Sequence, residues 1–266
     1  MIRLTGVTKR FFAGTPNEVT ALDDLHLEIG PGEFVTVIGS NGAGKSTLLN
    51  AIAGLVAIDA GRIELDGTDI TAWPVYRRAA FIGRIDQNPL ASTAAEMTVA
   101  ENLAMALMRG RRRGLARAVT AARRQVFREA LAAVGMGLEK RLDVLVRTLS
   151  GGQRQALALV MATLVEPRLL LLDEHTAALD PQAARLVLAI TERVVTTCRL
   201  TTLMVTHNME QAIRYGTRLI MMHRGRIVLD VGREEKEQLT VQNLIARFVA
   251  VSGDLFACDR LLLAAP

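Results

Sequence analysis

One short turn constrains this chain more than any other feature. Gly39, Ser40, Asn41, Gly42, Ala43, Gly44, Lys45, Ser46 and Thr47 follow an apolar run at residues 33–38 and lead into an apolar helical pattern that starts at Lys45. Their spacing is that of the glycine-rich phosphate-binding loop G-x-x-x-x-G-K-[ST], and it stands between a strand and a helix, where that motif has physical meaning. The glycines let backbone N–H groups converge on phosphate oxygens, and the helix N-terminus adds a favourable dipole. Lys45 then reaches the outer phosphates and Ser46 offers its hydroxyl to Mg2+. An α/β fold with a P-loop NTPase (RecA-like) core is expected, with ATP and Mg2+ as its ligands.

A second segment supplies acids. Residues 169–172 are four leucines, and Asp173 and Glu174 follow them. An apolar strand would deliver both carboxylates to its C-terminal end, the edge at which open α/β sheets bind ligands. Asp173 is expected to hold Mg2+, directly or through water, and Glu174 to polarise an attacking water as general base. Upstream, Leu149, Ser150, Gly151, Gly152 and Gln153 read as a helix start. Ser150 can cap it, and the two glycines leave backbone amides open to an anion, which implies a second phosphate contact.

Around these motifs the chain divides by pattern. Alternating segments near residues 2–8, 18–29 and 61–66, with turn residues at 30–32 and 66–67, predict a small antiparallel β lobe. Residues 98–165 are rich in Ala, Leu and Arg at helical spacing and predict an inserted helical lobe at about 95–165 without strands. Short apolar strands at 169–172 and 202–205, separated by a helical segment at 181–198, complete a parallel sheet with crossover helices. A hairpin is expected at 218–223 and 226–230 around Arg224 and Gly225, and a helix at 241–251. The expected organisation is one nucleotide-binding domain at 1–230 and a short C-terminal extension at 231–266. No internal repeat and no long heptad insertion is present.

With these motifs in order and spacing, the sequence resembles the ABC ATPases up to about residue 230. Leu149 to Gln153 resembles the family signature, Gln87 the Q-loop glutamine, Ala178, Leu179 and Asp180 the D-loop, and His207 the switch histidine. Phe11 stands where the family has its adenine-stacking aromatic; Phe12 adjoins it, and strand alternation would send that neighbour to the opposite face. The resemblance implies a head-to-tail pair of ATPase subunits, in which Ser150, Gly151, Gly152 and Gln153 of one copy close on the ATP held by the P-loop of the other. It implies that His207 contacts the γ-phosphate, and that Gln87 touches Mg2+ and the attacking water. His175, in the run Asp173, Glu174, His175, Thr176, departs from the proline most members carry after the glutamate.

The same resemblance implies the ATPase of an ABC transporter that energises a separate integral membrane permease through dimer closure. Import of small solutes, with an extracytoplasmic solute-binding protein, is the expected direction. Residues 14–18, 173–180 and 203–209 look similar to an importer group paired with branched-chain-amino-acid-type permeases, with aromatic amino acids among suggested cargoes. The alternatives are an exporter or lipoprotein-releasing ATPase, or a soluble ABC ATPase of DNA repair or translation. The soluble forms split their ATPase around coiled coils or carry two units in one chain, and neither pattern is seen.

Composition narrows the rest. No stretch approaches the roughly 20 uninterrupted apolar residues of a membrane-spanning helix. The first residues alternate like a strand rather than like a secretory signal, so the cytoplasmic face of the membrane is the expected location. Cys198 and Cys258 and the four histidines fall in no metal-ligand spacing. Much of the net charge of +5 lies at residues 109–117, followed by Arg123 and Arg124. That stretch reads as a solvated helix end or as a surface near lipid headgroups or permease loops. No aromatic residues interleave it to stack on bases, so no nucleic-acid partner is expected.

Overall fold

The apolar run ahead of the glycine-rich turn forms a strand buried along its whole length, in a computed structural model that describes residues 1–88, 91–111 and 114–252. Arg112, Arg113, Cys258 and the end of the expected C-terminal extension lie outside the described residues. In chain order the elements are β1 (Ile2–Phe11), β2 (Val19–Ile29), β3 (Phe34–Gly39), α1 (Lys45–Ala53), β4 (Ala60–Leu65), β5 (Thr68–Asp69), α2 (Val75–Arg78), β6 (Ile82–Ile85), α3 (Val99–Leu107), α4 (Ala121–Ala132), α5 (Gly151–Thr163), β7 (Leu169–Asp173), α6 (Pro181–Thr197), β8 (Thr202–Val205), α7 (Met209–Arg214), β9 (Arg218–His223), β10 (Arg226–Val231), α8 (Arg233–Lys236) and α9 (Val241–Ser252). They fall into two compact units, one formed by Met1–Arg78 with the chain from Thr201 onward, the other by Ala79–Leu200.

In the first unit, alternation along β1 buries Ile2 and Leu4 and exposes Arg3 and Thr5, as a sheet with one covered face requires. This strand pairs antiparallel with β2 on one side and β4 on the other, and β5 extends the sheet beyond β4. The central strand β3 instead lies between parallel neighbours β8 and β9, with β10 returning antiparallel to β9. Its six residues are all buried, which explains the unbroken apolar run in place of alternation.

The C-terminal segment is part of this unit's core. Leu239, Leu244 and Phe248 form one apolar cluster with Ile38, Met209, Leu219, Met221 and Val231. Lys236, only 4% exposed, donates to Tyr215 O, to Gly216 O at 3.2 Å and to the Thr36 hydroxyl at 3.3 Å. The ammonium thereby supplies donors to two carbonyls just beyond the end of α7, where burial requires backbone acceptors to be paired.

In the second unit, β6 and β7 pair in parallel, with Ile82 opposite Leu169 and Ile85 opposite Leu172. Helix α5 crosses close to β6, where a Cβ on Gly83 would come within 2.7 Å of Ala162 O. The expected helical stretch consists of α3, α4 and α5 with two short 3-10 turns. A capping box starts α3: Thr98 accepts from the Glu101 N–H while the Glu101 carboxylate accepts from the Thr98 N–H. Strand β6 was not anticipated from sequence.

Candidate functional site

The glycine-rich turn leaves β3 at Gly39 and enters α1 at Gly44. Both glycines are required by close approach as well as by backbone conformation. A Cβ on Gly39, at φ +154°, would lie 2.3 Å from Met222 O, and one on Gly44, at φ +99°, would lie 2.2 Å from Ala21 O. The turn is braced from the β9–β10 hairpin, where the Gly225 N–H donates to Ala43 O at 3.0 Å. Lys45, 6% exposed, folds its ammonium back over the turn to reach Gly39 O at 2.8 Å and Ser40 O at 3.1 Å. Ser46 and Thr47 follow in the first turn of α1, whose N-terminal dipole favours an anion.

His207 stands in the two-residue link between Thr206 and α7. Thr206 N–H donates to Val37 O at 3.1 Å, and the Thr206 hydroxyl accepts from the Asn208 N–H at 3.1 Å. Asn208 caps α7 by accepting from the Gln211 N–H at 2.9 Å. The half-buried His207 is thus held on β3 and α7, the elements that also carry the glycine-rich turn and the C-terminal cluster.

Phe11 is the last residue of β1, pairs with Val19, and has the Lys9 ammonium 5.4 Å from its ring centroid. Phe12 is 70% exposed and has a left-handed backbone at φ +55°. Strand alternation therefore stops at Phe11, and it does not decide between the two rings.

In the second unit the parallel pair β6 and β7 ends in the acidic and amide side chains. Asp173 closes the all-leucine strand at 9% exposure and lies 3.6 Å from the Arg84 guanidinium, which also holds Asp86 at 2.6 Å. Glu174 turns left-handed at φ +44°, and Gln87, just past β6, donates to its carboxylate at 3.4 Å. Gln87 and Glu174 are 87 residues apart in sequence and are brought together because their strands are neighbours. Sequence reasoning missed Arg84; the Ile82, Gly83, Arg84, Ile85 run leading into Gln87 was its available signal.

Ser150 caps α5 in a capping box: its hydroxyl accepts from the Gln153 N–H and the Gln153 side chain accepts from the Ser150 N–H, both at 3.3 Å. Arg141 adds a 3.1 Å donation to the same Gln153 oxygen. Gly151 and Gly152 let the start of α6 lie close, since a Cβ on each would come 3.1 Å from Leu179 and 3.2 Å from Ala183 respectively. Asp180 caps α6, accepting from the Gln182 and Ala183 N–H groups at 3.1 and 3.0 Å. The signature and D-loop residues therefore form one contact.

His175 is 2% exposed, with Nε2 3.1 Å from the Thr191 hydroxyl, and burial pushes its imidazole down to about 4. The basic stretch is not uniformly solvated. Arg109 turns inward to donate to Ala162 O at 2.8 Å, and burial lowers its pKa, while Arg124 forms a two-point pair with Asp143.

Residues 22–177 match the ABC transporter family. The Tyrosine transport ATP-binding protein of Clostridioides difficile (strain R20291) is 45% identical over 250 residues, which span 93% of this chain and 98% of that protein. The Methionine import ATP-binding protein MetN of Corynebacterium efficiens is 35% identical over 255 residues, 94% of this chain and 68% of that protein. Among solved structures, the dimeric ATP-binding cassette MJ0796 in a post-hydrolysis state bound to ADP and Pi aligns with a TM-score of 0.75 at 27% identity, covering 87% of this chain and 98% of that one.

Proposed function

The chain belongs to the ABC transporter family, and on that premise we propose that it is the ATP-hydrolysing subunit of an importer, energising an integral membrane permease through ATP-driven closure of a paired ATPase. The observation that carries the catalytic reading is Gln87 donating to Glu174 at 3.4 Å beside the buried Asp173, at the ends of two neighbouring parallel strands. In this reading the glycine-rich turn and Lys45 hold the triphosphate, and Phe11 stacks on adenine. Glu174 takes the proton of the attacking water, Gln87 orients that water, and His207 contacts the γ-phosphate. The Ser46 hydroxyl, the Asp173 carboxylate and the Gln87 amide are hard oxygen donors of the kind that suits Mg2+, which would neutralise developing phosphate charge when bound. Ser150, Gly151, Gly152 and Gln153 close on the partner copy's nucleotide, and the capped start of α5, exposed at Ser150 and Gly151, supports that role.

The subunit works from the cytoplasmic face of the membrane, and among the described residues no helix is long and apolar enough to cross one. A relative that matches along nearly its whole length is named for tyrosine transport, which supports an aromatic amino acid as cargo; an extracytoplasmic solute-binding protein that supplies it belongs to the same proposal. Two experiments test the reading. Glu174→Gln should retain ATP binding in a fluorescence titration while turnover falls by about 100-fold or more; hydrolysis at the unmodified rate contradicts the base assignment. Deleting the gene in its host should abolish high-affinity uptake of labelled tyrosine, and unchanged tyrosine uptake removes the cargo assignment.

A further inference from the structure

The general base assigned above sits in an unfavourable backbone conformation. Glu174 is left-handed at φ +44°, a conformation that a residue with a Cβ adopts only where neighbouring structure imposes it. One restraint is local: the Ala177 N–H donates to Glu174 O at 2.9 Å. The other comes from outside the turn. The next residue, His175, points into the interior at 2% exposure, and its Nε2 lies 3.1 Å from the hydroxyl of Thr191, which is 1% exposed on α6.

The hydroxyl also lies 2.9 Å from Val187 O one turn earlier on the same helix. It has a single proton, so when it donates to Val187 O its lone pair accepts from a protonated Nε2. Both contacts are satisfied only by this arrangement, which defines the direction of the His175 ring. Helix α6 is in turn anchored at its start by Asp180 and by the close contacts of Leu179 and Ala183 with Gly151 and Gly152.

We propose that His175 is a positioning residue for Glu174, acting through its hydrogen bond to Thr191 to hold the left-handed turn and aim the carboxylate. The proposal rests on Glu174 being the base. It places the carboxylate's orientation under the control of the helix that begins at the D-loop, so a shift of α6 at the signature contact reaches the base through one side chain.

The test uses the full chain in steady-state Mg-ATP hydrolysis with Thr191→Val, which keeps shape but removes the acceptor, and Thr191→Ser, which keeps the hydroxyl. Thr191→Val should lower kcat about fivefold with KM for ATP unchanged, the fold-change expected for one neutral hydrogen bond of about 1 kcal/mol. Thr191→Ser should retain kcat within about twofold, by the same arithmetic. Equal kcat in the valine variant and the parent overturns the proposal, as does equal loss in valine and serine variants, or a rise in KM that matches the loss. Glu174→Gln run alongside separates the two readings. If it is inactive while Thr191→Val is unimpaired, only the positioning role fails; if it hydrolyses ATP normally, the base reading fails and the positioning role with it.

Discussion

Burial of His175 couples a single side chain to the acid stability of the protein. Its imidazole is pushed from the ordinary 6.5 down to about 4 by desolvation. The unfolded chain takes up a proton as pH falls through 6.5, whereas the folded chain does so only near 4. The contribution is therefore fully present above about 6.5 and is lost as pH falls toward 4, by roughly 3 kcal/mol across that window. Thermal melts of the nucleotide-free protein should show Tm falling over this range, and His175→Gln should flatten the slope; an unchanged slope would show that the imidazole is protonated in the fold. The sequence identifies His175 as a departure from the expected proline, but its partner Thr191 lies 16 positions away on another element and carries no local mark. The pairing of Gln87 with Glu174 is similar: Glu174 was legible at the end of its apolar strand and Gln87 through the family resemblance, and their contact follows from register alone.

At the scale of elements, the start of α5 and the apolar strands β7 and β8 were legible, whereas β6 was not. The Ser150 capping box could be read directly, because its chemistry is complete within four consecutive residues. Ser150→Ala removes the acceptor for the Gln153 N–H and should cost about 1 kcal/mol, seen as a Tm lowered by about 2–4 °C. Ser150→Thr should recover most of it, and calorimetry that finds alanine and threonine equivalent would remove the cap from the stability of α5. Strand β6 escaped reading because four residues with a central Gly and Arg give too little alternation, and its identity comes from pairing with β7. The choice of Phe11 over Phe12 assumed that extended backbone continues through both, and the left-handed turn at Phe12 removes that assumption.

For the whole molecule, the segment after residue 230 matters more than its sequence suggests. Phe248 is 1% exposed and Leu244 fully buried, in the cluster that also holds Met209 and Ile38. Phe248→Ala should cost about 3–5 kcal/mol, lowering Tm by about 10 °C; a Tm within a degree of the parent would make the segment an appendage. Sequence by itself determined the α/β class, the strands and helices around the glycine-rich turn and the all-leucine strand, and the motif residues on which the proposed site is built. Those properties follow from periodicity and from motifs whose chemistry lies within a few consecutive residues. Only the tertiary structure decided that Gln87 meets Glu174, that Arg84 lies beside Asp173, that His175 is buried against Thr191, and that α9 closes a core around α7. Each depends on which elements become neighbours and in what register, and that is decided by long-range packing of apolar faces rather than by local sequence spacing.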